Sequence, residues 1–113
     1  MQIDEHANGN VTILKLKGEM RVGEGQALLK DKVRSLLHQG RKNVLVDLAG
    51  VTYIDSSGIG ELASAYTTVT RDGGKIKLLN LTKRVRDLLA ITKLLTVFDA
   101  YDAEQDALRS FSS

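Results

Sequence analysis

The residues with the greatest capacity for chemistry lie in one run, Asp55-Ser56-Ser57-Gly58-Ile59-Gly60-Glu61. Hydroxyls and carboxylates this close together could supply a nucleophile and its base, an acceptor for a phosphoryl group, or a cap for a helix start. The glycines leave room for a partner or a phosphate to approach the backbone. Spacing separates these chemistries. A nucleophile elbow requires G-x-S-x-G, whereas Asp55 and Ile59 stand two positions before and after Ser57. A catalytic triad also needs an imidazole, and the only histidines, His6 and His38, fall on an expected edge strand and an expected helix. These residues argue against a hydrolase.

Phosphate-binding loops fare little better. No Gly-Lys-Ser/Thr occurs, so there is no Walker A loop. Gly58-Ile59-Gly60-Glu61-Leu62-Ala63 matches G-x-G-x-x-A, but Leu78-Leu79-Asn80 stands where the ribose-binding acid is expected. The chain is also too short for both halves of a dinucleotide fold. Asp47 and Asp55 form no metal-ligand spacing. Lys83, Arg84, Arg86 and Lys93 lack interleaved aromatics and read as a solvated helix face, not a nucleic-acid site. A purely structural alternative also stands: Ser57 caps a helix and the glycines satisfy a tight turn.

Those residues must be positioned by the elements around them. Asn8-Gly9 predicts a hairpin turn between an edge strand at Gln2–His6 and a strand at Val11–Lys17, whose Thr12, Leu14 and Leu16 share one face. Gly18 is expected to end that strand. Leu29, Val33, Leu36 and Leu37 recur at helical spacing, with Gly40 at C′. Val44–Leu48 reads as a central parallel strand buried on both faces. Ile59, Leu62, Ala63, Tyr66 and Val69 mark a second amphipathic helix, ended by Asp72-Gly73-Gly74. Lys75–Leu79 is a further strand. Thr82 is a plausible N-cap for a helix carrying Val85, Leu88 and Leu89. Thr96-Val97-Phe98 predicts a short last strand, and Ala103, Ala107, Leu108 and Phe111 a terminal helix.

The order β-β-α-β-α-β-α-β-α predicts one α/β domain over residues 1–113, with a mixed, mostly parallel five-stranded sheet and four helices. Four helices leave one sheet face less covered than the other. The Asp55–Glu61 run then follows the carboxyl end of a buried strand, where open α/β sheets build their sites, and opens a helix whose first N–H groups lack partners.

Composition narrows the function further. With 16 Lys+Arg against 14 Asp+Glu, the net charge of +2 implies no obligate nucleic-acid or anionic-membrane partner. The absence of cysteine excludes disulfides and zinc-thiolate sites. The longest apolar run, Leu88–Ile91, is far below the ~20 residues of a spanning helix, so no membrane insertion is expected. Met1-Gln2-Ile3-Asp4-Glu5 lacks a basic leader, which makes a reducing cytoplasm the expected compartment.

At Asp55–Gly60 the sequence resembles the STAS domain, and most closely the anti-sigma factor antagonists of bacteria. The resemblance extends to Leu16-Lys17-Gly18-Glu19-Met20, Val46-Asp47-Leu48-Ala49-Gly50-Val51, Gly73–Leu78 and Val85–Leu89 followed by Leu94, so it spans essentially the whole chain. It implies a phosphorylation switch and no enzyme activity or cofactor. The unmodified protein would bind an anti-sigma factor that is also a serine kinase, freeing a sigma factor. The kinase would phosphorylate Ser57, with Ser56 as the second candidate, and a phosphatase acting on phospho-Ser57 would reset the switch. The partner surface would comprise Arg21, Asp55, Ser56, Ser57, Gly58, Ile59, Gly60 and Glu61. A phosphate at a helix start is expected to face N–H groups and the positive end of the dipole, so the fold should tolerate it.

Many antagonists carry an Asp after the Gly-Glu-Leu that ends the long strand, whereas Gly18-Glu19-Met20 is followed here by Arg21. That places a cation where the resemblance implies an acid, facing either partner or phosphate. The resemblance also implies a second function of another class. STAS domains serve as interaction modules in anion transporters and as accessory subunits of lipid-transport ATPases.

Overall fold

The structure, a computed structural model, describes residues 1–20 and 28–112. The elements follow the expected order: β1 (Gln2–Asn8), β2 (Val11–Met20), α1 (Leu28–His38), β3 (Asn43–Ile54), α2 (Ser56–Arg71), β4 (Lys75–Leu79), α3 (Lys83–Ile91), β5 (Ala100–Tyr101) and α4 (Glu104–Ser110). The strands lie in the order β1-β2-β3-β4-β5, with β1 antiparallel to β2 and every other pair parallel.

Two apolar layers cover the sheet. Leu14, Leu16, Val44, Val46 and Leu78 pack under α1, α2 and α3 through Leu29, Val33, Leu36, Leu62, Val69, Val85 and Leu89. On the opposite face, among the described residues, α4 alone of the helices packs, with Ala107 and the adjoining Phe111 over Val11, Ile13, Leu45 and Leu79. The uneven covering expected from four helices is realised. Lys77 lies within this second face and is almost fully buried. Its ammonium donates to the carbonyl oxygen of Ser110 at 3.1 Å and to its hydroxyl at 2.9 Å, and sits 4.9 Å from the Phe111 ring centroid. A cation at the carboxyl end of α4 also suits the helix dipole.

Several helix ends lie where the residue types place them. At α1, Gly40 (φ +77) and the bonds Gly40 N–H to Leu37 and Arg41 N–H to Leu36 form a Schellman end. Gly73 and Gly74 close α2 in the same way, bonding to Thr70 and Val69. The Thr82 hydroxyl caps α3 by accepting the Val85 N–H at 3.2 Å.

The strands depart from expectation in four places. First, β1 pairs as far as Asn8↔Val11, which moves the turn to Gly9-Asn10 and puts positive φ at Gly9 alone of the two, the pattern of a type II′ turn. Second, Gly18 does not end β2. It adopts φ +99 where the register shifts, with the extra residue, Thr52, on β3, so β3 bulges there and β2 runs on to Met20.

Third, that extension carries β3 with it. Glu19 pairs with Tyr53 and Met20 with Ile54, so β3 covers Asn43–Ile54 instead of stopping at Leu48. Fourth, Thr96-Val97-Phe98 is not a strand. It lies in a turn closed by Val97 N–H to Leu94, and Phe98 is spent on the core, 5.3 Å edge-on to Tyr66. The last strand is Ala100–Tyr101, which pairs with Leu78 and Leu79.

Candidate functional site

β4 pairs with β3 only as far as Asp47↔Leu79, so the last seven residues of β3 overhang the sheet beside β2 alone. Asp55 follows directly. Its N–H still bonds the Met20 carbonyl at 3.3 Å, and its own carbonyl accepts the Ile59 N–H at 3.1 Å. The chain therefore passes from ladder to helix within one residue.

Asp55 is the N-cap of α2, with extended backbone. One carboxylate oxygen accepts the N–H of Ser57 at 3.0 Å and of Gly58 at 3.2 Å. The capping alternative for Ser57 is thereby corrected, because the helix begins at Ser56 and Ser57 lies inside its first turn. The expectation that helix N–H groups await a phosphate needs the same correction, since two of them already bond Asp55. Ser56 is exposed and Ser57 half-buried.

Gly58 serves packing. A Cβ there would stand 2.7 Å from Ile54 Cγ1, 2.8 Å from the Met20 carbonyl oxygen and 2.9 Å from Met20 Cβ. Only glycine lets α2 start this close to the strand ends. Ile59 is buried in the core, while Gly60 has open space on its side-chain side.

Glu61 joins α2 to α1. Its Oε1 accepts the N–H of Leu29, the second residue of α1, at 3.2 Å. Burial holds its carboxyl above the ordinary range, and the Leu29 N–H partly offsets that effect. Glu61 thus has a structural partner besides its place beside the loop.

The residue sequence reasoning missed is Arg84. Its Nε donates to the Ile54 carbonyl oxygen at 2.7 Å, and its guanidinium lies 4.3 Å from the Tyr53 ring centroid. It secures the overhang of β3 that β4 does not reach. Arg84 is exposed, as the solvated-face reading expects, but it also makes this tertiary contact; a helical cation 30 residues from its partner leaves no local signal. Its neighbours fit that reading: Lys83 pairs with Asp87 at 2.9 Å and Arg86 with Asp102 at 3.9 Å, all exposed.

Asp47 and Asp55 do no joint work. Asp47 accepts from Ala49 N–H at 3.0 Å and from the Asn80 amide at 3.3 Å. Among the described residues, no group of three or more His, Cys, Asp or Glu could hold a metal, and no helix is long and apolar enough to cross a membrane. Arg21 lies outside the described residues.

The structure therefore brings Asp55, Ser56, Ser57, Gly58 and Gly60 to one point: a rigidly held helix start presenting hydroxyls at the carboxyl end of β3. Comparison with known proteins places this geometry in a family. The STAS domain model matches residues 2–107. The anti-sigma-B factor antagonist of Bacillus subtilis (strain 168) is 31% identical over 99 residues, covering 88% of this chain and 89% of that protein.

Among solved structures, a Thermotoga maritima protein described as an anti-sigma factor antagonist superposes with a TM-score of 0.89 at 23% identity, covering 98% of this chain and 95% of that one. The Bacillus cell fate determinant SpoIIAA in its phosphorylated form gives a TM-score of 0.75 at 17% identity, covering 96% and 98%. With the whole five-stranded sheet inside the family match and a relative 31% identical over most of both chains, the chain belongs to the STAS domain family, among the anti-sigma factor antagonists.

Proposed function

We propose that this protein is a phosphorylation-switched antagonist working in the cytoplasm as a binding module, not an enzyme. Unmodified, it binds an anti-sigma factor that is also a serine kinase and so releases a sigma factor. The kinase modifies Ser57 and binding is lost. A phosphatase acting on phospho-Ser57 restores it.

The observation that carries this reading is the position of Ser57. It lies in the first turn of α2, half-buried, within a loop backbone held by Asp55, Gly58 and Arg84. A phosphate adds about −1.5 to −2 charges at neutral pH. On this backbone it changes surface charge beside Asp55 without having to change the fold. Facing an acidic or phosphate-bearing partner surface, that charge repels, and each ~1.4 kcal/mol of repulsion is a tenfold loss of affinity. Ser56, more exposed, is the second acceptor candidate.

The relatives' names support the antagonist reading over a transporter accessory subunit. A sulfate transporter family protein from Wolinella succinogenes shares the fold at a TM-score of 0.79, but at 17% identity it supports the fold alone.

Incubation with ATP and the candidate kinase, followed by intact mass and phosphopeptide mapping, tests the proposal. A single phosphate on Ser57 together with loss of kinase binding is expected. No modification, or binding unaffected by it, would overturn the switch. Recovery of the chain bound to a permease instead of an anti-sigma factor would favour the transporter subunit.

A further inference from the structure

We infer that Glu61 carries the charge state of Ser57 to the start of α1. This rests on the reading of Ser57 as the switch and names how the modification reaches beyond its own loop. Ser57 and Glu61 are four residues apart on α2, which places them on one helix face with Cβ atoms about 5–6 Å apart. Helical side chains lean toward the N-terminus, so the Glu61 carboxylate is directed back toward the turn that holds Ser57.

Its contact at the other end is with α1. Leu29 is the second described residue of α1, and its amide donates out of the helix. Glu61 supplies the acceptor from 32 residues away. The bond thus ties α1 to α2, and is made by the same carboxylate that a phosphate on Ser57 would confront.

A phosphate dianion there acts on Glu61 in one of two ways, and both weaken that bond. Repulsion moves the carboxylate away, or it drives proton uptake by a group that burial already disposes toward its neutral form. A neutral carboxyl accepts more weakly than a carboxylate. The start of α1 therefore loosens when Ser57 carries charge. In the unmodified protein it is held, and the surface beside the loop is presented in one arrangement. Glu61 is a positioning residue in this scheme, acting through the Leu29 amide.

The experiment compares the full chain with and without phosphoserine, genetically encoded at position 57, by amide hydrogen exchange and 15N–1H spectra. Encoding the modification keeps the test independent of any kinase. Failure of a kinase to modify Ser57 would overturn the function proposed above and leave this inference standing or falling on its own data.

In the parent chain, phosphoserine should lower Leu29 protection roughly fivefold, the scale of a like-charge i,i+4 pair with a dianion as one member. In Glu61→Gln, whose side chain still offers an oxygen but carries no charge, Leu29 should stay protected and respond little. Leu29 protection unchanged by phosphoserine in the parent, or lowered equally in Glu61→Gln, would overturn the inference.

Discussion

The Nε of Arg84, in the first turn of α3, donates to the carbonyl oxygen of Ile54 at 2.7 Å, one residue before the cap of α2. A cation from the third helix thus fixes the strand end from which the Asp55–Gly60 loop departs, while the Tyr53 ring lies against the guanidinium.

Removing that support should loosen the loop without dissolving the fold. Arg84→Ala loses one hydrogen bond from a charged donor and one cation–π contact, together about 2 kcal/mol at this partly exposed site. Urea denaturation should show that loss. Arg84→Lys should recover only part of it, because an ammonium cannot reproduce the planar stack together with the Nε bond. Stability of Arg84→Ala equal to the parent's would refute the anchoring role.

The two glycines of the loop should behave oppositely. Gly58→Ala forces a methyl against the Met20 carbonyl oxygen and Ile54, and overpacking of this kind costs about 1–3 kcal/mol. Gly60→Ala meets open space inside a helix and should stabilise by about 0.5–1 kcal/mol. Chemical denaturation of both variants checks the pair, and matching effects would contradict the packing described.

At the hydroxyls, Ser57→Asp should weaken partner binding at least tenfold while stability stays within about 1 kcal/mol, since an acid is tolerated in the first turn of a helix. Ser57→Ala should bind and resist switching; Ser56→Ala should bind and switch as the parent does. Titration calorimetry with the anti-sigma factor, beside thermal melts, provides the measurement. Unfolding of Ser57→Asp would mean that the loop is a packing element.

Glu61 should leave a mark on the pH dependence of stability. Its folded-state carboxyl titrates above its ordinary value of 4.5, so the folded chain holds the proton more tightly than the unfolded one. The stabilising contribution is therefore present below about pH 4.5 and is lost as pH rises through the folded-state value. Glu61→Gln removes this component, so its stability relative to the parent should increase from acid toward neutral pH. Urea midpoints measured across that range test it, and a pH-independent difference would exclude the effect.

The order of elements and most helix ends were legible in the sequence because periodicity, Gly40, Gly73 and Thr82 act locally. The extent of β3 was not. Val51–Ile54 is strand only because β2 runs on past Gly18 and β3 bulges at Thr52 to keep pace with it, a decision taken between two segments and not within either. Asp55 and Ser57 are both good caps by type, and the point where the ladder releases the chain chooses Asp55. Thr96–Phe98 had strand-like residues, but burying Phe98 against Tyr66 competes with pairing to β4. The roles of Arg84 and Glu61 were invisible for the same reason, since their partners lie 30 and 32 residues away.

The Lys77 contact to Ser110 fastens α4 to the face of the sheet that α2 does not touch. The domain consequently has a handle on the sheet face opposite the helix that carries Ser57. A tether, dye or fusion joined through α4 would report or bear load through the second core alone. Immobilised by that side, the molecule would leave Ser57 and its surroundings open to the partners proposed above.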